Sequence, residues 1–198
     1  MASRKSIKES ARKSLEPIAR FLVALKVRPN WMTVGGFVFA LISAGYFVHG
    51  SVRIAGVFLF LAGLSDIVDG MMARLTSSVK KFGAFLDSSL DRYSEGAVFF
   101  GLGVHYAKSG SELGVALVLI ALVGSFLISY VRARAEGLGE TCTVGFMERP
   151  ERLVVLIICS LLGHTALAAG LLILAVLTHI TALHRIYYVY TKMERPSR

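Results

Sequence analysis

The sequence predicts an all-α integral membrane protein: six transmembrane helices preceded by an N-terminal amphipathic interfacial helix. Three observations predict it. The 198 residues are 55% hydrophobic and 18% charged, with a mean hydropathy of +0.63, against about 45–50% apolar and about 25% charged in soluble domains. Long apolar stretches recur, matching the roughly 20 residues a helix needs to cross a hydrocarbon core about 30 Å thick. Basic residues gather in alternate connections, the asymmetry that orients membrane helices. No polar linker, repeat or low-complexity segment divides the chain, so residues 1–198 read as one domain.

Residues 1–28 carry Arg4, Lys5, Lys8, Arg12, Lys13, Arg20, Lys26 and Arg28. Ile7, Ala11, Leu15, Ile18, Ala19, Leu22 and Leu25 recur among them at helical spacing. A secretory signal would need an apolar core and a small-residue cleavage site, and neither is there. The pattern suits a juxtamembrane helix lying on a membrane surface. A solvated basic tail is the alternative.

Residues 29–193 supply the six-helix bundle, with spans over 31–49, 52–75, 82–107, 113–135, 153–167 with its flanks, and 168–190. Only Gly163, His164 and Thr165 mark a turn between the last two. With the N-terminus in the cytoplasm, the outer connections hold only Arg53 and Lys108. The inner segments hold Lys80, Lys81, Arg132, Arg134, Arg149, Arg152, Lys192, Arg195 and Arg198. A multi-pass protein of the cell membrane with both termini inside follows from that bias. The net charge of +9 flanks apolar spans and is not interleaved with exposed aromatics. It therefore points to anionic lipid headgroups and not to nucleic acid. Cys142 and Cys159 stand apart, without a CxxC or a His partner at ligand spacing, and read as ordinary thiols.

Asp occurs at 66, 69, 87 and 91 and nowhere else. A helical hairpin turning near Ser78–Val79 sets Asp66 opposite Asp91 and Asp69 opposite Asp87. Spacings of i,i+3 and i,i+4 keep each pair on one helix face. The four carboxylates then share a level roughly 10–20 Å along the helices from the turn. Adjacent carboxylates in a low-dielectric wall need protons, cationic partners or metal. Arg74 and Arg92 are too few to neutralise four. An all-oxygen cluster suits Mg²⁺ or Mn²⁺, and four carboxylates have capacity for two ions about 4 Å apart. Gly70, Ala73 and Gly83 lie within a turn of the aspartates, where absent side chains let a ligand or another helix approach. Arg74, a guanidinium beside the cluster, fits a phosphate ligand.

Asp66-x2-Asp69-Gly70-x2-Ala73-Arg74-x8-Gly83-x3-Asp87-x3-Asp91 resembles the complete signature of the CDP-alcohol phosphotransferase family, with no departure from it. The resemblance covers essentially the whole chain. It implies six transmembrane helices after an amphipathic N-terminal helix, usually as a homodimer. It implies displacement of CMP from a CDP-linked lipid or alcohol by the hydroxyl of a second alcohol. Asp66, Asp69, Asp87 and Asp91 would hold two Mg²⁺ ions, with Mn²⁺ the other candidate. Asp91 would also be the general base. Gly70, Ala73, Arg74 and Gly83 match the family's nucleotide-contacting positions. Asn30, Trp31, Met32 and Thr33, after Pro29, resemble its N-terminal nucleotide-binding segment, though Pro29-Asn30 alone is equally a helix-start signal. Lys80 sits where a phosphate would be reached, and also where a lysine would simply snorkel.

SYVRARAE and ERPERL resemble the branch that makes phosphatidylinositol phosphate or its archaeal ether-lipid counterpart. That branch implies CDP-diacylglycerol or CDP-archaeol as donor and 1L-myo-inositol 1-phosphate as acceptor. Arg132, Arg152 and Arg185 match the basic positions that hold the acceptor's phosphate. The Arg132 position is often Lys in bacterial members, which leaves the lipid type open. Three arginines from three helices suit a phosphate clamp. Interfacial ion pairing among Arg134, Glu136, Glu148, Arg149 and Glu151, with Arg132 and Arg152 snorkelling, is the competing reading. Glycerol 3-phosphate is the second acceptor that needs such a clamp. A divalent-cation transporter would also bury carboxylates. However, 52–64 and 97–104 are almost wholly apolar and give no polar path onward.

Overall fold

The computed structural model describes residues 15–76 and 81–194. Residues 15–24 form α1. It is followed by α2 (Pro29–Val48), α3 (Val52–Leu75), α4 (Lys81–Lys108), α5 (Glu112–Gly137), α6 (Arg149–Leu162) and α7 (His164–Glu194). No strand occurs among the described residues. The first half of the expected interfacial helix, residues 1–14, and Lys80 with the Ser78–Val79 turn lie outside them.

The helices from α2 onward close into a ring. α2 packs on α3 and on α4, α3 on α6, α6 on α7, α7 on α5, and α5 on α4. Without a strong hydrophobic drive between helices in lipid, such seams depend on close backbone approach. Gly101 shows this on α4: a Cβ there would sit 2.5 Å from the carbonyl oxygen of Ala44 on α2. Inside the ring, Ala40, Phe47, Leu59, Phe99, Leu102, Leu156, Leu171 and Leu174 are buried together. Phe60, Phe100, Leu119, Leu172 and Ile180 face outward. That outer apolar surface is what a lipid environment accepts.

Four helices are long and apolar enough to cross a membrane: Pro29–Val48, Val52–Leu75, Glu112–Gly137 and His164–Glu194. The other two expected spans, α4 and α6, fall outside that measure of length and composition. α4 carries Asp87, Asp91 and Arg92 in its first half and Glu95 at its middle. α6 has 14 residues, about 21 Å of helix, which is short of a hydrocarbon core. It stops at Gly163, whose φ of 111° favours glycine, and α7 starts at once with His164. The last span thus begins four residues before the expected Ala168.

α1 packs on α3 by one face. Ala19 is buried against Val68, Met71 and Met72 of α3, with Leu15, Leu22 and Val23 beside it. Ile18 and Phe21 point outward. Its inner face therefore braces the stretch of α3 that contains Asp69.

Candidate active site

Asp66 and Asp69 lie in the second half of α3, Asp87 and Asp91 in the first half of α4. α2 packs against both helices, whereas α3 and α4 make little direct contact with each other. The simple hairpin is thus wedged open, and carboxylates fill the gap. Oxygens of Asp66, Asp69 and Asp87 all lie within 4.8 Å of one another. Asp69 faces Asp87 as the spacing predicts. Asp66 joins that pair, while Asp91 is outside the group and is tied to Asp66 through a third helix. Arg149, in the first turn of α6, pairs its Nη1 with Asp66 Oδ2 at 3.0 Å and its Nη2 with Asp91 Oδ1 at 2.7 Å. Arg92 Nη1 stands 3.8 Å from Asp91 Oδ2. The cationic partners are therefore Arg149 and Arg92, while Arg74, insufficient with Arg92 as a counter-charge for four carboxylates, faces the neighbouring cavity.

Two carboxylate oxygens, Asp69 Oδ2 and Asp87 Oδ1, are buried without a hydrogen-bond partner. Leaving a charged acceptor so costs several kcal/mol, more than a neutral group's roughly 1–3 kcal/mol. Three converging carboxylates with two orphaned oxygens fit a hard divalent cation.

Beside this cluster a cavity of about 560 Å³ opens between α2, α3 and α4. Asn30, Thr33, Gly70, Ala73, Arg74 and Gly83 line it together with Asp69 and Asp87. Arg28 and Ala84, unmarked by the sequence reading, line it too. Gly70 and Gly83 leave room: a Cβ at Gly70 would meet only the Arg74 guanidinium at 3.7 Å, and one at Gly83 only Asn30 Oδ1 at 3.6 Å. Trp31 and Met32 are not in the lining. Asn30 and Thr33 are three residues apart and share a helix face. That face excludes the two between them. Trp31 is 70% exposed, and Met32 packs against the Val68–Met72 cluster.

The three arginines expected to hold an acceptor's phosphate come from α5, α6 and α7, and Arg185 lies within electrostatic reach of the other two. Each already has partners inside the protein. Arg152 is fully buried and holds Glu95 by a two-pronged pair, Nε to Oε1 at 2.7 Å and Nη2 to Oε2 at 3.0 Å, while Nη1 donates to Met147 O. Arg185, also buried, donates to Val144 O and Ile128 O and stands 3.6 Å from Glu148. Arg132 is half exposed and pairs with Glu136 at 2.9 Å. Arg152 therefore does not snorkel: its guanidinium is buried on Glu95 and Met147 O. Glu95 escaped the sequence reading, although it lies four residues after Asp91 and so shares its face. Arg149 was read only as an interfacial partner, although it lies three residues before Arg152.

A family model described as CDP-alcohol phosphatidyltransferase matches residues 26–182. The chain is 34% identical over 189 residues to the archaetidylinositol phosphate synthase of Pyrococcus horikoshii, covering 95% of this chain and 97% of that one. Its structure resembles the crystal structure of Mycobacterium tuberculosis phosphatidylinositol phosphate synthase with CDP-DAG bound. The TM-score is 0.82 at 34% identity, over 92% of this chain and 98% of that one. A second crystal structure of that mycobacterial enzyme, in complex with manganese and citrate, matches with a TM-score of 0.82 at 35% identity, over 91% and 92% of the two chains.

Proposed function

The chain belongs to the CDP-alcohol phosphatidyltransferase family, and from that premise we propose that it joins a CDP-linked lipid to inositol 1-phosphate, releasing CMP and a lipid-linked inositol phosphate. It is an enzyme of the multi-pass membrane type, with divalent metal at the aspartate cluster. The observation that carries the reading is the Asp66–Asp69–Asp87 triangle, with its orphaned oxygens, opening onto the cavity of Asn30, Gly70, Ala73, Arg74 and Gly83. The names of the relatives support inositol phosphate as acceptor.

In this reading the cavity takes the cytidine diphosphate and Arg74 takes part of its charge. Asp66, Asp69, Asp87 and Asp91 hold two ions, Mg²⁺ or Mn²⁺. When bound, these screen the diphosphate and stabilise charge on the leaving phosphate. The acceptor hydroxyl forms a bond to the lipid-bearing phosphorus as the bond from that phosphorus to the CMP oxygen breaks. Asp91 receives the hydroxyl proton. Arg132, Arg152 and Arg185 steer the acceptor's phosphate. The donor is CDP-diacylglycerol or CDP-archaeol. All 198 residues act as one domain in a homodimer, with six spans, an interfacial N-terminal helix, and the site and both termini on the cytoplasmic side.

The test is CMP release by purified protein in detergent with Mg²⁺ and either CDP-lipid. Release with inositol 1-phosphate alone is expected. Release with glycerol 3-phosphate instead would make the product a lipid-linked glycerol phosphate and overturn the acceptor assignment.

A further inference from the structure

Arg149 reaches the aspartates from α6, an element separate from the two helices that carry them. Its guanidinium bridges Asp66 and Asp91 at 3.0 and 2.7 Å. With it in place, the cavity that Arg149 lines together with Asp66, Asp69, Asp87, Asp91 and Glu95 keeps about 40 Å³, room for a few waters. Around it the partners are uneven: Asp69 Oδ2 and Asp87 Oδ1 are buried with none. The four carboxylates thus form two unequal halves that share Asp66: one has orphaned oxygens and no cation, the other is filled by a guanidinium. Arg92, 3.8 Å from Asp91, adds positive charge to the filled half. Glu95 and Glu148 are engaged by Arg152 and Arg185.

We infer that Arg149 is an exchangeable counter-ion of the metal site. One divalent cation enters the open half at Asp66, Asp69 and Asp87 with Arg149 in place. A second enters beside Asp91 only by displacing the guanidinium from the same oxygens. The inference rests on the two-metal reading above and adds an order to it. Arg149 acts in this through Asp66 and Asp91, as a positioning residue, and keeps the acidic cluster compatible with folding before the metals bind.

The test is titration of Mn²⁺ alone into the purified full chain in detergent, with free Mn²⁺ read by electron paramagnetic resonance. The wild type should bind in a tight and a weaker phase. Arg149→Met should tighten the weaker phase by about tenfold or more, the ratio that one charge-assisted contact supports, and shift the tight phase less. Arg149→Lys keeps the charge but cannot fork across two carboxylates, so it should fall between. Melting without metal should show Arg149→Met less stable than wild type, with the gap narrowed at saturating Mn²⁺. If Arg149→Met does not fold, Arg149→Lys decides. A weaker phase unchanged or loosened in the folded variants overturns the exchange and leaves the metal site standing. No binding of Mn²⁺ to any form overturns both.

Discussion

Glu95 and Arg152 are 57 positions apart in the chain and meet as a buried two-pronged ion pair at 2.7 and 3.0 Å. The pair ties the middle of α4 to the first turn of α6, next to Asp91 and Arg149. Breaking a buried pair from one side leaves an uncompensated charge, at about 3–5 kcal/mol. Glu95→Ala and Arg152→Ala should therefore each lower the melting temperature strongly, and the double variant should cost less than their sum. Thermal melts of the four proteins in one detergent check this. Additive losses would show that the pair contributes no coupling.

That pair marks the boundary of what the sequence makes legible. The aspartates were readable because helical spacing is local: three or four residues set a shared face whatever the rest of the chain does. The cavity lining was readable for the same reason: Asn30 and Thr33 face the cavity, and Trp31 and Met32, on the same helix turn, do not. The partners of the arginines were not readable. Glu95, Ile128 and Val144 come from other elements, and a single sequence gives no register between helices that are not neighbours in the chain. The span count was legible in part: four helices are long and apolar enough, while in 153–167 apolar content was visible but the helix break at Gly163 was not, and α6 has 14 residues.

Asp91→Asn keeps the shape of the side chain and removes its basicity. Turnover should fall about 10²–10⁴-fold, the usual range for a lost general base. CDP-lipid binding should change little, because the nucleotide cavity is lined by Asp69 and Asp87 and not by Asp91. Single-turnover CMP release, with CDP-lipid binding measured separately, checks both halves. Full turnover in the variant would remove Asp91 from the chemistry.

Arg132 gives the cleanest view of the acceptor clamp. Its pair with Glu136 is half exposed on both sides, and such surface pairs contribute about 0–1 kcal/mol. Arg132→Ala should therefore leave melting nearly unchanged. Loss of one charge-assisted contact to a phosphate, about 1.5–3 kcal/mol, should raise the KM for inositol 1-phosphate roughly 10- to 100-fold and spare that for CDP-lipid. Arg152→Ala and Arg185→Ala should also raise the acceptor KM, but with a stability loss that Arg132→Ala lacks, because both side chains are buried on internal partners. Equal rises for both substrates would take Arg132 out of the clamp.

Two glycines of α4 should separate the nucleotide cavity from the fold that supports it. A Cβ at Gly83 would face the cavity, with only Asn30 Oδ1 within 4 Å, whereas one at Gly101 would strike the Ala44 backbone. Gly83→Val should therefore leave the melting temperature near wild type while raising the KM for CDP-lipid, since the added volume lies where the nucleotide is expected. Gly101→Ala should do the reverse. Overpacking of this kind costs about 1–3 kcal/mol, and it would push α2 from α4 at a seam well removed from Asp87. Its KM values should be close to wild type at temperatures where it is folded. Melting curves and CDP-lipid saturation on both variants give four readings. A Gly83→Val protein that melts early but binds donor normally would mean that the cavity wall is structural and that the nucleotide lies elsewhere.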